Sequence, residues 1–149
     1  MFITPEIAKV HLRDPSADAA DLALKSAAAE LSAVSYLDRA VFADQTTLDA
    51  AVALVPAALI AAKAAFSAAD AAADLIADVD IRLIEKAYAL ETYSSAVFSA
   101  ARTRRGILIN AAIQSAMLLT LGHLWENRED ASIPYGAQCL LDAYRNYSA

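Results

Sequence analysis

His123 and Glu126 stand three residues apart, so on a helix they share a face. This is a reversed form of the Glu-x-x-His pair of di-metal carboxylate bundles. Those use the motif twice, with two further glutamates. Here it occurs once, and the only other histidine, His11, belongs to another element. A zincin would need His-Glu-x-x-His, which the sequence lacks. We therefore expect no metal site, and a partly buried His123 near a helix C-terminus, where its charge suits the dipole. Cys139 has no triad partners and precedes Leu140-Leu141, so it reads as a small buried hydrophobe. With three glycines in the chain, no phosphate-cradling loop can be built. Catalytic residues and cofactors are not expected.

Two charged groups remain. Asp70, Asp74 and Asp78 recur every fourth residue and are expected to line one helical face. They lack the glycine-containing loop of a calcium site. They read as a solvated face or as an acidic channel or intersubunit face. Arg102, Arg104 and Arg105 form the one basic patch. It is either a set of helix C-terminal charges meeting the dipole or a contact for an acidic partner or DNA phosphate. The polar run Trp125-Glu126-Asn127-Arg128-Glu129 ends a strongly apolar segment. Half-buried Arg–Glu pairs fix register between packed elements, and Trp and Arg are favoured at interface hot spots. We take these five residues as a structural or interfacial motif.

The elements that must hold these groups are helices. Alanine supplies 38 of 149 residues, while Gly and Pro number 3 and 4. Ala and Leu lead the helix-propensity ranking, and so few breakers leave little room for a β-sandwich. One cysteine excludes a disulfide scaffold. The net charge of −6 argues against general nucleic-acid binding. Residues 1–80 hold twelve acids and five bases, whereas 81–149 hold six and seven. The most apolar stretch, Ala50 to Ala62, is shorter than the ~20 residues a bilayer span needs. No membrane role is expected, and no basic leader is visible.

The fold class expected is an all-α helical bundle with a long Ala-rich helical hairpin inserted before the C-terminal helices. The whole is read as one adaptor domain of three segments, 1–44, 45–105 and 106–149. Thr4-Pro5-Glu6 starts a short helix, with Ile3, Ile7 and Val10 as its apolar side. Ser16 caps a second, about 17–39, with the stripe Ala20, Leu24, Ala27, Leu31 and Val34. Thr46 or Thr47 caps a third, which Pro56 kinks or restarts. Asp80 caps a fourth. Leu59, Phe66, Leu75, Ile84, Tyr88 and Phe98 are expected to pair across this hairpin. Asn110 caps a helix over about 111–128, with Ile113, Met117, Leu121 and Leu124 inward and Leu118 and Trp125 widening the stripe. Gly122 there implies a close backbone approach. Pro134 opens a last helix with Ala137, Leu140, Leu141 and Tyr144 inward.

Two stretches then resemble a known family. Leu118 to Glu129, reading Leu-Leu-Thr-Leu-Gly-His-Leu-Trp-Glu-Asn-Arg-Glu, is similar to the hallmark of phage head–tail connector (adaptor) proteins. There an apolar helix ends in His, an aromatic and Glu-Asn-Arg-Glu. Ile133 to Gln138 with Leu140 to Arg145 resembles that family's closing helix. Ile3 to Lys9 with His11 to Arg13, and Tyr36 to Val41, resemble its opening helices. The likeness covers about 1–44 and 107–146, and the middle departs from it. The resemblance implies a non-enzymatic homo-oligomeric ring, typically a dodecamer, beneath the portal protein of long-tailed phages. Such a ring extends the DNA channel without reading sequence and docks the next head-completion or tail-terminator protein. It implies a place in the virion neck, after synthesis in the host bacterial cytoplasm. Pro134, Tyr135, Tyr144, Arg145 and Tyr147 are the portal or partner contacts we expect. The alternative is a cytosolic helical-bundle metal or carboxylate protein, or a regulatory interaction module.

Overall fold

A computed structural model describes residues 2–127 and 129–147. The protein is all-α, with six helices and one two-stranded sheet among the described residues. The chain folds as two compact units, Met1–Asp44 with Ile107–Ala149, and Gln45–Gly106.

The first unit contains α1 (Pro5–Leu12), α2 (Ala19–Leu37), β1 (Val41–Phe42), β2 (Ile107–Leu108), α5 (Ala111–Glu126) and α6 (Tyr135–Asp142). Helix α5 packs against α1, α2 and α6. Asn110 caps it by accepting from Ile113 N–H at 3.0 Å. Ile113, Met117 and Leu121 are fully buried, as the apolar stripe implies. Each such side chain contributes about 1.5–3 kcal/mol of burial. Thr4 caps α1 and Pro5 opens it. The two strands pair in parallel, Val41 with Ile107 and Phe42 with Leu108. This pairing joins the two chain segments of the unit. Glu30 on α2 accepts from the backbone N–H of Phe2 and Ile3, which seats Ile3 in the core.

Several expected faces differ. Asp18, not Ser16, caps α2, because its carboxylate reaches both Ala20 and Asp21 N–H. Helix α2 buries Leu22, Ser26, Ala29, Ala33 and Leu37. Leu24 and Leu31 of the expected stripe are exposed. On α1 the buried residue is Ala8, and Val10 points outward at 79 % exposure. Small side chains let these helices approach closely, so the core face is the alanine face.

The second unit is a helical hairpin of α3 (Gln45–Asp74) and α4 (Val79–Arg104), which pack along each other. Helix α3 starts at Gln45, so Thr46 and Thr47 lie in its first turn, and it runs on through Pro56. At 30 residues, with a window of mean hydropathy 1.8, it is long and apolar enough to cross a membrane by length and composition. That exceeds the 13-residue run legible in the sequence. Alanine sets this hydropathy, and α4 beside it carries Asp80, Arg82, Glu85, Lys86 and Glu91. Asp78, not Asp80, caps α4, accepting from Asp80 and Ile81 N–H. Across the seam Phe66 meets Tyr93, with ring centroids 5.4 Å apart. Leu75, Ile84, Tyr88 and Phe98 do not pair there and are exposed.

Candidate functional site

The motif at the end of α5 is knitted into the first unit. Trp125 packs against the core, and Lys25 Nζ of α2 lies 4.5 Å from its ring centroid. Lys25 is also paired with Asp21 at 3.0 Å. This cation–π contact fixes α2 against the last turn of α5. Nothing in the spacing of Lys25 and Trp125 announces it. Asn127 terminates the helix, its N–H donating to the His123 carbonyl at 2.8 Å. Its amide also lies 3.2 Å from His123 Nδ1. The other ring nitrogen, Nε2, sits 3.2 Å from Asp130 Oδ2. Ser132 N–H and hydroxyl, with His123 behind them, hold the Asp130 carboxyl below its usual range. Glu126 and Glu129 are exposed. Arg128 lies outside the described residues.

A groove of about 400 Å³ opens between α1, α5 and α6, lined by His11, Gly122, His123, Glu126, Pro134 and Gly136 among others. It brings the two histidines to one place. No group of three His, Cys, Asp or Glu residues suited to a metal ion occurs among the described residues. The close approach at Gly122 is made by a side chain: a Cβ there would stand 3.4 Å from His11 Nε2. A shallow apolar depression of Ile7, Val10 and Leu118 adjoins it through His11. Tyr135, 81 % exposed, opens α6 beside the groove. Its hydroxyl is pushed up by a hydrogen bond with Cys139. Cys139 is exposed rather than buried, because α6 turns Ala137 and Leu141 inward instead.

The other C-terminal residues form a latch on the end of α2. Tyr36 donates to Asp142 Oδ1 at 2.6 Å, and Tyr147 to the same oxygen at 3.4 Å. The Tyr36 hydroxyl is raised by that bond and by the Asp142 charge. The Arg145 guanidinium lies over the rings of Tyr36 and Tyr147, at 4.6 and 5.4 Å. Asn146 N–H reaches the Leu37 carbonyl, an otherwise unmatched group at the end of α2. Tyr144 packs on the core. Of the five expected contact residues, Tyr144, Arg145 and Tyr147 are engaged within the chain, although Tyr147 is largely exposed; Pro134 is half-buried, and Tyr135 stands out into solvent.

In the hairpin the expected row of acids is broken. Asp70 and Asp74 lie on α3 and share Lys86 of α4, at 3.3 and 2.8 Å. Lys86 holds the Asp74 carboxyl below its usual range. Asp78 lies beyond the end of α3 and caps α4. Its carboxylate competes for free N–H groups, which ends the shared face. At the other end Arg105 Nε donates to the Ala101 carbonyl at 3.3 Å, as a helix C-terminal charge does. Arg102 is half-buried and Arg104 exposed. Compared with protein-family models, with curated proteins and with solved structures, the chain gives no match.

Proposed function

We propose that the chain is a structural head–tail connector of a tailed-phage or phage-like particle. It forms a ring under the portal that extends the DNA channel and docks the next neck or tail protein. One observation carries this reading. The two stretches that resemble the connector family, about 1–44 and 107–146, are far apart in sequence yet fold as one compact unit. The part that departs from the family folds by itself as the hairpin. The resembling motif at the end of α5 also serves packing, through Trp125 and Asn127, as a rigid ring component requires. An acidic chain suits a channel through which DNA must slide without sticking.

Imaging the neck of particles whose genome encodes this chain tests the reading. A ring of copies beneath the portal is expected. Absence of the chain from purified particles overturns it. Truncation after Asp130 would mislead as a test of partner contact, because it removes buried Ala137 and Leu141. Tyr135→Ser is the sharper variant. It should leave the fold intact and abolish joining to portal-bearing heads. Unchanged incorporation removes Tyr135 from the contact.

A further inference from the structure

The hairpin leaves most of its apolar surface uncovered. On α4, Ile81, Ile84, Tyr88 and Phe98 are all exposed and recur at helical spacing, forming one stripe. Beside the stripe a groove of about 330 Å³ runs between the helices, floored by Ala62, Ala65, Ala69 and Ala89. Tyr88 borders both. Such a groove admits a helix edge that carries large side chains.

Charge is sorted along this rod. Its tip, residues 70–86, holds five acids and two bases, a net −3. Its root, 45–56 with 95–106, holds Asp49 against Arg102, Arg104 and Arg105, a net +2. Between them Lys63 and Glu91 cancel. Two such rods laid parallel set acid beside acid. Laid antiparallel, they set tip against root at both ends, within the ~10 Å over which charges act at 0.1 M salt.

We propose that the stripe and groove receive the hairpin of a second copy of this chain, antiparallel, tip against root. In this isologous register Ile81 faces Phe98, Ile84 faces Ser95 and Tyr88 faces Glu91, each pair occurring twice. The Tyr88 hydroxyl donates to the Glu91 carboxylate, so neither glutamate meets its own symmetry mate directly. In this register residues 79–100 of the two α4 helices overlap over about 33 Å, and a face two helices wide offers about 650 Å² per copy, within the range of a specific interface. The pairing stands apart from the connector ring. Neighbours in a cyclic ring run parallel, so the antiparallel dimer belongs to the unassembled chain.

The test uses the full chain with Cys139→Ser, plus Ile84→Cys or Ser95→Cys. Oxidation of a mixture of the two variants should give mainly the 84–95 cross-link, with little homodimer from either alone. Sedimentation should show a dimer weakened at least tenfold by Arg102→Glu, which lies on the stripe, or by Asp80→Lys. The two substitutions in one chain should restore it, which a folding defect would not. A monomer at all concentrations, or same-residue cross-links, would overturn the proposal. So would charge variants without effect, or a monomer that pellets with phosphatidylcholine vesicles. Same-residue cross-links in a ring would overturn it while leaving the connector reading standing.

Discussion

The two units are built from the same alanine-rich helices and bury them in opposite ways. In the first, α5 is surrounded by three helices, and Ile3, Leu22, Leu37, Ile113, Met117, Leu121 and Leu141 are fully buried. In the hairpin each helix has one neighbour, and among the described residues only Val55, Ala73 and Ala89 are buried. Leu75, at the turn, is 87 % exposed. Alanine allows close approach but removes little area from water, at about 25 cal/mol per Å². Helix propensity and packing thus separate: the hairpin is helical by composition, and the first unit is folded by its core.

The largest expected effect is on that core. Leu121→Ala removes a fully buried side chain touched from several helices and should cost about 2–5 kcal/mol. Val55→Ala in the hairpin removes only two methyl groups from a buried side chain and should cost less, about 1–2 kcal/mol. Urea unfolding of both variants measures this. Equal losses would break the comparison. Hydrogen exchange sharpens it. Residues 57–100 should exchange quickly in the dilute free chain and slowly after assembly, while α5 is protected in both. Strong protection of the hairpin at high dilution, or none in assembled particles, would count against this.

What the sequence made legible follows the same division. Caps with an unambiguous local donor pattern, Thr4 and Asn110, were readable, and so was the α5 stripe, whose large residues are its core residues. The α2 face was not. Its leucines at 24 and 31 drew the stripe outward, whereas Ser26, Ala29 and Ala33 make the contact. When the contact residue is small, size no longer marks the core. Of the candidate site, the motif at the end of α5 was visible as a cluster. Its partner Lys25 comes from α2, a hundred residues away, and the C-terminal latch takes Tyr36 from the same helix to Asp142; neither pairing leaves a local trace. Lys86 was missed for the same reason: it joins Asp70 and Asp74 from the opposite helix.

That staple gives a smaller effect with a defined sign. Hydrogen bonding to Lys86 lowers the Asp74 carboxyl in the folded hairpin. A lowered folded value means the staple contributes above the ordinary carboxylate range and is lost as the pH falls through the lowered value. Lys86 is raised, so it stays charged throughout the acid limb. Asp74 is exposed and Lys86 only half-buried, so salt screens the pair. Hairpin helicity should therefore melt slightly earlier at pH 3 than at pH 7, and Lys86→Ala should erase the difference. An unchanged pH difference in that variant would assign it elsewhere.

The smallest effect expected tests a close approach in the well-packed unit. Gly122 lies inside α5, where glycine costs about 1 kcal/mol relative to alanine. The added methyl of Gly122→Ala would stand 3.4 Å from His11 Nε2 and 3.9 Å from Cδ2. These atoms are the far end of a ring that borders the open groove, so the ring can give by a few tenths of an ångström. The helix gain should win, with a net stabilisation below about 1 kcal/mol, read from the urea midpoint at unchanged slope. A loss of stability would mean that α1 holds His11 rigidly against α5. In that case adding His11→Ala to Gly122→Ala should recover the helix gain.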